Sequence, residues 1–298
     1  MNAARNKLLD PKILAGLANL ELVARTAVEG FFTGLHRSPR FGFSQEFKEY
    51  RAYVEGDDPR FVDWNVFART DRTYVRRYEG ETNTRLMLLL DASASMGYSS
   101  HAVSKLQYAK FLVAALAWLA ARQHDPVGLI VFDEDIRQYR PPTGRAGGLT
   151  GLIHAVDAVE AGGGTDLVGC FGKFREHLGR RGLVAVISDL YCNPEAMARA
   201  VQPLAWHGQD IMIFQVLDPR ELRPDWQDAV VLQDVETHRR LNVAPEFLAE
   251  RYRERLEDHL RALRRAAANV GAHQVLIRSD EPLDQALRRY LLFRQRRA

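Results

Sequence analysis

The chain has 298 residues, 46% of them hydrophobic and 27% charged, which is typical of a folded globular protein and excludes a disordered one. Its formal net charge of +3 is modest, so charge alone does not indicate a nucleic-acid partner. Two cysteines, Cys170 and Cys192, are too few for a disulfide scaffold and fit a reducing cytoplasm. The longest apolar run, residues 111–121, is shorter than the ~20 residues that a membrane span needs, and the N-terminus lacks a signal pattern. We therefore expect a cytoplasmic protein without a membrane span.

The first 82 residues differ in character from the rest. Asp10-Pro11 predicts the start of a helix. An apolar stripe on that helix is expected to pack on the protein's own core, with binding to a partner helix or a membrane surface as the alternative. We predict an N-terminal helical and irregular subdomain over residues 1–82 and a second domain over residues 83–298. The stripe comprises Ile13, Leu17, Leu20, Ala24, Ala27 and Phe31.

A buried strand is predicted to end at a carboxylate. Residues 86–90 form a short apolar run without alternation, as in a central parallel strand that is covered on both faces. Asp91 follows directly, and Ser93 and Ser95 add hydroxyls at alternate positions. Ligands of open α/β sheets bind in the crevice beyond the carboxyl ends of the strands, so these side chains predict a binding site there.

The elements that follow alternate between helices and strands. This alternation predicts an α/β fold with a doubly wound, mostly parallel sheet of the Rossmann type. A turn at residues 133–135 is expected to lead into an edge strand over residues 136–139. Helices are predicted over residues 105–123, 149–160, 166–178, 194–206, 252–270 and from 283, strands over 128–132, 183–188, 210–217 and 274–277, and a small antiparallel insertion over 229–232 and 240–243.

Two later segments can complete the Asp91 site. Residues 162–164 are a glycine turn that opens a helix and presents the hydroxyl of Thr165. Asp189 stands at the carboxyl end of the strand over residues 183–188. If the two strands are neighbours, all five side chains meet at one point. Oxygen donors select Mg²⁺, with Mn²⁺ or Ca²⁺ as alternatives, over zinc, which prefers His and Cys.

This five-residue pattern resembles the metal-ion-dependent adhesion site of the von Willebrand factor A domain, which has Asp-x-Ser-x-Ser, a distant Thr and a distant Asp. The resemblance implies that Ser93, Ser95 and Thr165 contact Mg²⁺ directly. It implies that Asp91 and Asp189 balance its charge, partly through water. It also implies an open coordination position for an acidic residue of a partner protein.

The N-terminal segment carries a second resemblance. Gly42 begins Gly-x-Ser-x-Glu-Phe, and Tyr50 begins Tyr-Arg-x-Tyr-x-x-Gly-Asp-Asp-x-Arg-x-x-Asp-Trp. With the domain that follows, this signature resembles the bacterial DUF58 family from about residue 34 to residue 294. The resemblance implies partnership with a MoxR-type AAA+ ATPase in the maturation of other proteins, with an unknown client. It does not imply an enzyme.

The signature has two interpretations. Its arginines and carboxylates can form an internal ion-pair network, or the segment can be a docking surface with Tyr53, Arg60 and Trp64 as the partner-binding residues.

Two other function classes remain as alternatives. A Mg²⁺-dependent phosphohydrolase of the haloacid dehalogenase type would resemble Asp-x-Asp, but Ser93 stands at the second position. A nucleic-acid-binding protein would use the five arginines within residues 288–297, although a solvated helix end also explains them. Phosphate-loop, nucleophile-elbow and zinc-protease motifs do not occur in the sequence.

Overall fold

The computed structural model describes residues 9–17, 19–35, 47–53, 62, 66, 73–78, 84–145, 147–177, 181–224, 230–236, 240–243 and 245–295. Contacts divide them into two compact units, one within Met1–Gly30 and Thr84–Ala298 and the other within Phe31–Asn83. The N-terminal residues up to Gly30 are therefore grouped with the large domain, whereas the sequence prediction assigned all of residues 1–82 to one subdomain.

The secondary structure alternates through the larger unit. In chain order the strands are β1 (Phe47–Ala52), β2 (Tyr74–Tyr78), β3 (Leu86–Asp91), β4 (Val127–Phe132), β5 (Ile136–Thr143), β6 (Gly182–Ser188), β7 (Gln209–Leu217), β8 (Val230–Gln233), β9 (Arg240–Val243) and β10 (His273–Arg278). The helices are α1 (Pro11–Leu14), α2 (Leu20–Leu35), α3 (Lys105–Arg122), α4 (Gly148–Asp157), α5 (Leu167–His177), α6 (Pro194–Trp206), α7 (Pro219–Leu222), α8 (Pro245–Asn269) and α9 (Leu283–Gln295).

The central sheet has six strands in the order β10-β7-β6-β3-β4-β5. Every neighbouring pair is parallel except β4 and β5, which are antiparallel. The chain proceeds from β3 outward to β4 and β5, then returns to β6 on the other side of β3. The strand order thus reverses between β3 and β6, which is where ligands bind in open α/β sheets. The predicted α/β fold with a mostly parallel, doubly wound sheet is confirmed.

Helices cover both faces of the sheet. One face carries α3, with α4 and α9 packed against it, and the other carries α5, α6 and α8. On the second face Phe132 at the end of β4 makes edge contacts with Phe171 and Phe174 of α5, at ring-centroid distances of 5.7 and 5.4 Å. Such aromatic contacts add to the apolar burial. They fix the position of α5, and with it the loop of Thr165 that leads into the helix.

The edge strand is longer than predicted. The turn at residues 133–135 and the antiparallel strand after it are confirmed, but β5 continues through Pro141 and Pro142 to Thr143. Proline has no N–H to donate to a neighbouring strand. An edge strand tolerates it because the outer side of that strand has no neighbour in the sheet. The small β8–β9 pair, the helix that ends before Gly271 and the final strand and helix are also confirmed.

The N-terminal helix is broken, which corrects the prediction of one continuous helix. After the short α1, the side chain of Asn19 accepts a hydrogen bond of 2.7 Å from the amide of Leu22 and so starts α2 anew. Ile13 is consequently exposed instead of lying on the buried stripe. Leu20, Ala24, Ala27 and Phe31 of the predicted stripe are buried, and Leu14, Val23 and Val28 are buried as well.

The smaller unit contains an antiparallel pair of strands that the sequence did not predict. β1 pairs with β2, with Tyr50 opposite Arg76. Charged residues interrupt the apolar alternation of both segments, which is why the period of a strand is not visible in the sequence.

Candidate metal centre

The carboxylate of Asp91 joins the ends of the two central strands. Asp91 is the last residue of β3 and is completely buried. Its Oδ1 accepts a 2.9 Å hydrogen bond from the amide of Ser93, and its Oδ2 accepts a 2.6 Å hydrogen bond from the hydroxyl of Ser188, the last residue of β6. Asp91 is thus held at the point where the strand order reverses.

Two serine hydroxyls continue from Asp91 towards the second carboxylate. A short 3₁₀-helix, Ala94–Gly97, follows Ser93 and turns the chain back. The hydroxyls of Ser93 and Ser95 lie 3.1 Å apart, and Ser95 Oγ donates a 2.7 Å hydrogen bond to Oδ2 of Asp189. The structure therefore brings together four of the five predicted ligands, namely Asp91, Ser93, Ser95 and Asp189, which we call the Asp91 cluster.

The fifth predicted ligand, Thr165, lies in a neighbouring loop, residues 162–165, which we call the Thr165 loop. Two backbone hydrogen bonds of 2.9 Å, from Ala94 N to Gly163 O and from Gly162 N to Ala92 O, attach it to the Asp91 segment. Thr165 Oγ1, however, donates a 3.0 Å hydrogen bond to Glu236 Oε1 in the turn between β8 and β9. The structure thus places Thr165 beside the cluster, with its hydroxyl bonded to a carboxylate outside it.

Arg137 of β5 and the acidic turn before it shape the Thr165 loop. The guanidinium donates to the carbonyls of Glu160 and Gly162, at 2.8 and 2.7 Å, and forms an ion pair with Asp133. Gly163 has a φ of +74°, and a Cβ there would lie 2.7 Å from Asp133 Oδ2. Only glycine fits this position without displacing the acidic turn.

A buried lysine that the sequence analysis missed neutralises part of the cluster. Lys105 Nζ lies 2.8 Å from Asp189 Oδ2 and 2.7 Å from Glu221 Oε1, and its side chain is 0% exposed. The ring of Tyr191 covers the ammonium group, with its centroid at 5.0 Å. Burial lowers the pKa of Lys105, but the charges of Asp189 and Glu221 outweigh burial and raise the pKa overall.

One sequence feature could have indicated this lysine. Lys105 is the first residue of α3, and Ser104 caps the helix by accepting a 3.1 Å hydrogen bond from the amide of Gln107. The helix dipole disfavours a cation at this end, so a lysine in the first turn of an apolar helix suggests nearby carboxylate partners.

The two carboxylates of the cluster repel each other. Burial, and then the charge of Asp189, raises the pKa of Asp91 from 3.8 to about 7, although hydrogen bonds from Ser188 and Ser93 act in the opposite direction. A bound cation would favour the charged form of both groups.

The raised pKa predicts a pH dependence of stability in protein treated with a chelator. The folded state holds the Asp91 proton more tightly than the unfolded state. The stabilisation by this group is therefore present below pH 3.8, and it is lost as the pH rises towards about 7. Denaturant unfolding of the wild type and of Asp91→Asn across this range should show a steeper decline in the wild type, because the variant lacks the contribution of Asp91. Parallel profiles would contradict the assignment of the raised pKa to Asp91.

The side chains at this point fit a hard divalent cation. They are carboxylates and hydroxyls, which suit Mg²⁺, Mn²⁺ or Ca²⁺, and Asp91 and Asp189 are almost wholly buried. Across the described part of the chain, no three side chains among His, Cys, Asp and Glu stand close enough together to hold an ion. A cation here would therefore depend on Ser93 and Ser95, with Thr165 from the adjacent loop.

A family model described as protein of unknown function DUF58 matches residues 49–266, well over half of the chain. The chain belongs to the DUF58 family. The matched range contains the whole Asp91 cluster, Lys105 and Glu236.

Two relatives align with nearly the whole length of this DUF58 protein. The uncharacterized protein Rv1480 of Mycobacterium tuberculosis (strain ATCC 25618 / H37Rv) is 29% identical over 300 residues, which cover 99% of this chain and 93% of the relative. An uncharacterized protein of Mycobacterium bovis has the same identity and coverage. Among solved structures, BatB from Bacteroides thetaiotaomicron is 17% identical with a TM-score of 0.47, covering 70% of this chain and 97% of its own. The VWA domain of SpRpn10 is 12% identical with a TM-score of 0.43, covering 69% and 94%.

Of the three predicted partner-binding residues, the structure describes one. Tyr53 follows β1, is 38% exposed, and its amide donates a 3.0 Å hydrogen bond to the carbonyl of Thr73. Arg60 and Trp64 lie outside the described residues of this DUF58 chain, so their role in docking stays a prediction.

Some C-terminal arginines have internal partners. Arg289 donates a 2.6 Å hydrogen bond to the carbonyl of Leu276 and pairs with Glu281 at 3.1 Å. Arg294 lies 2.5 Å from Asp125, whose side chain is 2% exposed. These contacts tie α9 to the rest of the DUF58 fold, and they reduce the charge that a nucleic acid would find there. Within the described residues, no helix is both long and apolar enough to span a bilayer.

Proposed function

We propose that this DUF58 protein is a non-enzymatic protein-interaction module that holds a divalent cation at the Asp91 cluster. Mg²⁺ is the favoured ion, with Mn²⁺ or Ca²⁺ as alternatives. The hydroxyls of Ser93, Ser95 and Thr165 and the carboxylates of Asp91 and Asp189 would hold it. The bound cation would supply an open coordination position for an acidic residue of a partner protein.

The observation that carries the proposal is the hydrogen-bonded chain across the switch point. Ser95 Oγ stands 3.1 Å from Ser93 Oγ and 2.7 Å from Asp189 Oδ2, so one hydroxyl links residues that are distant in sequence. Such a row of oxygen atoms, held just beyond the ends of β3 and β6, is pre-organised for a hard cation. The serine at position 93 favours binding over phosphohydrolase chemistry, since the resemblance to those enzymes requires an acidic residue there.

For the partner, we propose a MoxR-type AAA+ ATPase in the cytoplasm, acting together with this protein on an unknown client. Membership of the DUF58 family supports this choice, because the family resemblance implies such a partner. The client or the ATPase would present the acidic residue that completes the coordination of the cation.

A pull-down from a bacterial lysate tests the interaction. Wild-type protein and Ser95→Ala would be compared in Mg²⁺ and in chelator, with Asp135→Asn as the control. Asp135 is a good control because it is an exposed carboxylate of the β4–β5 turn that pairs with Lys173 and does not belong to the cluster. We expect an AAA+ ATPase to be recovered by wild type and by Asp135→Asn in Mg²⁺ only, and to be lost with Ser95→Ala. Equal recovery of the ATPase with and without chelator, and by wild type and Ser95→Ala, would contradict the metal-bridged interaction.

A further inference from the structure

The turn between β8 and β9 brings a carboxylate to the proposed metal site from a distant part of the sequence. Glu236 is 71 positions from Thr165 and accepts the proton of its hydroxyl at 3.0 Å. The amide of Glu236 donates a 2.9 Å hydrogen bond to Oδ1 of Asp234, which fixes the backbone of the turn. The side chain of Glu236 therefore approaches Thr165 from an anchored position.

A hydroxyl that binds a cation has to direct its proton elsewhere. Its oxygen lone pairs face the ion, so the O–H bond must point to another acceptor, and a carboxylate is the strongest acceptor that a protein offers. Ser95 already follows this rule, because it donates its proton to Asp189. Thr165 follows it with Glu236, so among the described residues the lone pairs of Thr165 Oγ1 stay available to a cation.

We infer that Glu236 is a positioning residue of the metal centre, acting through Thr165. It orients the lone pairs of the Thr165 hydroxyl towards the cation. By accepting a hydrogen bond from this hydroxyl, it also makes the Thr165 oxygen a stronger metal ligand. This inference rests on the proposed function, since it names the outer partner of one of the proposed ligands. It also gives the β8–β9 hairpin a role, because the hairpin carries the partner to the site.

The structure of the hairpin is consistent with this role. Its strands pair with each other and form a sheet separate from the central one. Val231 and Val235 are 60% and 47% exposed, so these two side chains contribute little to the core. A two-stranded hairpin alone is only marginally stable, so the hydrogen bond from Thr165 to Glu236 helps to hold this hairpin against the domain.

A double-mutant cycle on Mn²⁺ affinity tests the inference. The full-length chain would be stripped with chelator and titrated with Mn²⁺, and free Mn²⁺ would be measured by electron paramagnetic resonance. We expect Glu236→Ala to weaken binding by about 10- to 100-fold, the loss typical when the outer partner of a ligand is removed. In a Thr165→Ala background, the same substitution should cause no further loss, because Glu236 acts only through that hydroxyl.

Glu134→Ala is the matched control. Glu134 Oε1 accepts a 3.0 Å hydrogen bond from the amide of Gly164, so this variant also removes one charge and one hydrogen bond from the Thr165 loop. Its loss of Mn²⁺ affinity should be much smaller than that of Glu236→Ala.

Different results overturn different statements. Equal losses from Glu134→Ala and Glu236→Ala, or additive losses from Thr165→Ala and Glu236→Ala, would mean that Glu236 acts by general charge, and the inference would be wrong. Wild-type protein that binds no Mn²⁺ would overturn both the inference and the proposed function.

Discussion

Replacing Lys105 by methionine is expected to lower the free energy of unfolding by about 3–5 kcal/mol, because a buried carboxylate loses its cation. Lys105 is fully buried and bonds both Asp189 and Glu221. Methionine retains most of the apolar volume of lysine but brings no charge. Denaturant unfolding in the presence of chelator measures the difference.

Lys173→Met is the control for this experiment. Lys173 forms an ion pair of 2.7 Å with Asp135, but the two side chains are 55% and 65% exposed. Exposed pairs contribute about 0–1 kcal/mol, so this variant should unfold almost like the wild type. Equal stability of Lys105→Met and Lys173→Met would show that the buried lysine does not stabilise the cluster.

The same lysine variant also reports on the cation. Lys105 and a divalent ion would compete for Asp189, since both bring positive charge to one buried carboxylate. We therefore expect Lys105→Met to bind Mg²⁺ more tightly than the wild type, and added Mg²⁺ to restore part of its lost stability. Weaker Mg²⁺ binding in a folded Lys105→Met protein would contradict this competition.

The second large effect is expected for Asp91→Asn, which should weaken Mg²⁺ binding by about 100-fold or more. Loss of a group that only supports a metal ligand typically weakens metal binding by about 10- to 100-fold, and loss of a charge at the site itself should reach or exceed the upper value. Asparagine has the shape of aspartate and keeps one oxygen as an acceptor for Ser93 or Ser188. It lacks the charge that a hard cation requires.

The fold should survive this substitution. The pKa of Asp91 is raised to about 7 by burial and by Asp189, which means that the charged form is disfavoured in the folded protein without a cation. Asp91→Asn should thus unfold no more easily than the wild type in chelator at pH 8. Competition with a fluorescent Mg²⁺ indicator measures the affinity. Unchanged affinity in the folded variant would exclude Asp91 from the site.

The architecture of the large unit could be predicted from the sequence because burial leaves clear patterns there. A strand covered on both faces is a continuous apolar run, as in residues 86–90, and its end marks the crevice of an α/β sheet. The positions of Asp91, Ser93, Ser95 and Asp189 follow from that end and from the adjacency of β3 and β6. The sequence therefore predicted that these four side chains lie close together.

Contacts between distant polar residues could not be predicted in the same way. Lys105 stands in a helix of apolar residues and Glu236 in a short hairpin, and no periodicity connects either to the strand ends. The break before α2 depends on one side-chain cap at Asn19, which competes with a continuous apolar stripe. The pair β1–β2 is rich in charge and has no strand period. In these cases polar contacts or pairing between charged strands determine the structure, and hydrophobic patterning does not indicate them.

Calorimetric titration of chelator-treated wild-type protein with Mg²⁺ tests the central claim most directly. The claim is that the Asp91 cluster, with its hydroxyl link from Ser93 to Asp189, holds a divalent cation. It predicts saturable binding of one ion per chain, which disappears in Asp91→Asn and persists in Asp135→Asn. A wild-type protein that shows no saturable binding of Mg²⁺, Mn²⁺ or Ca²⁺, while folded and with Asp91 intact, would contradict it.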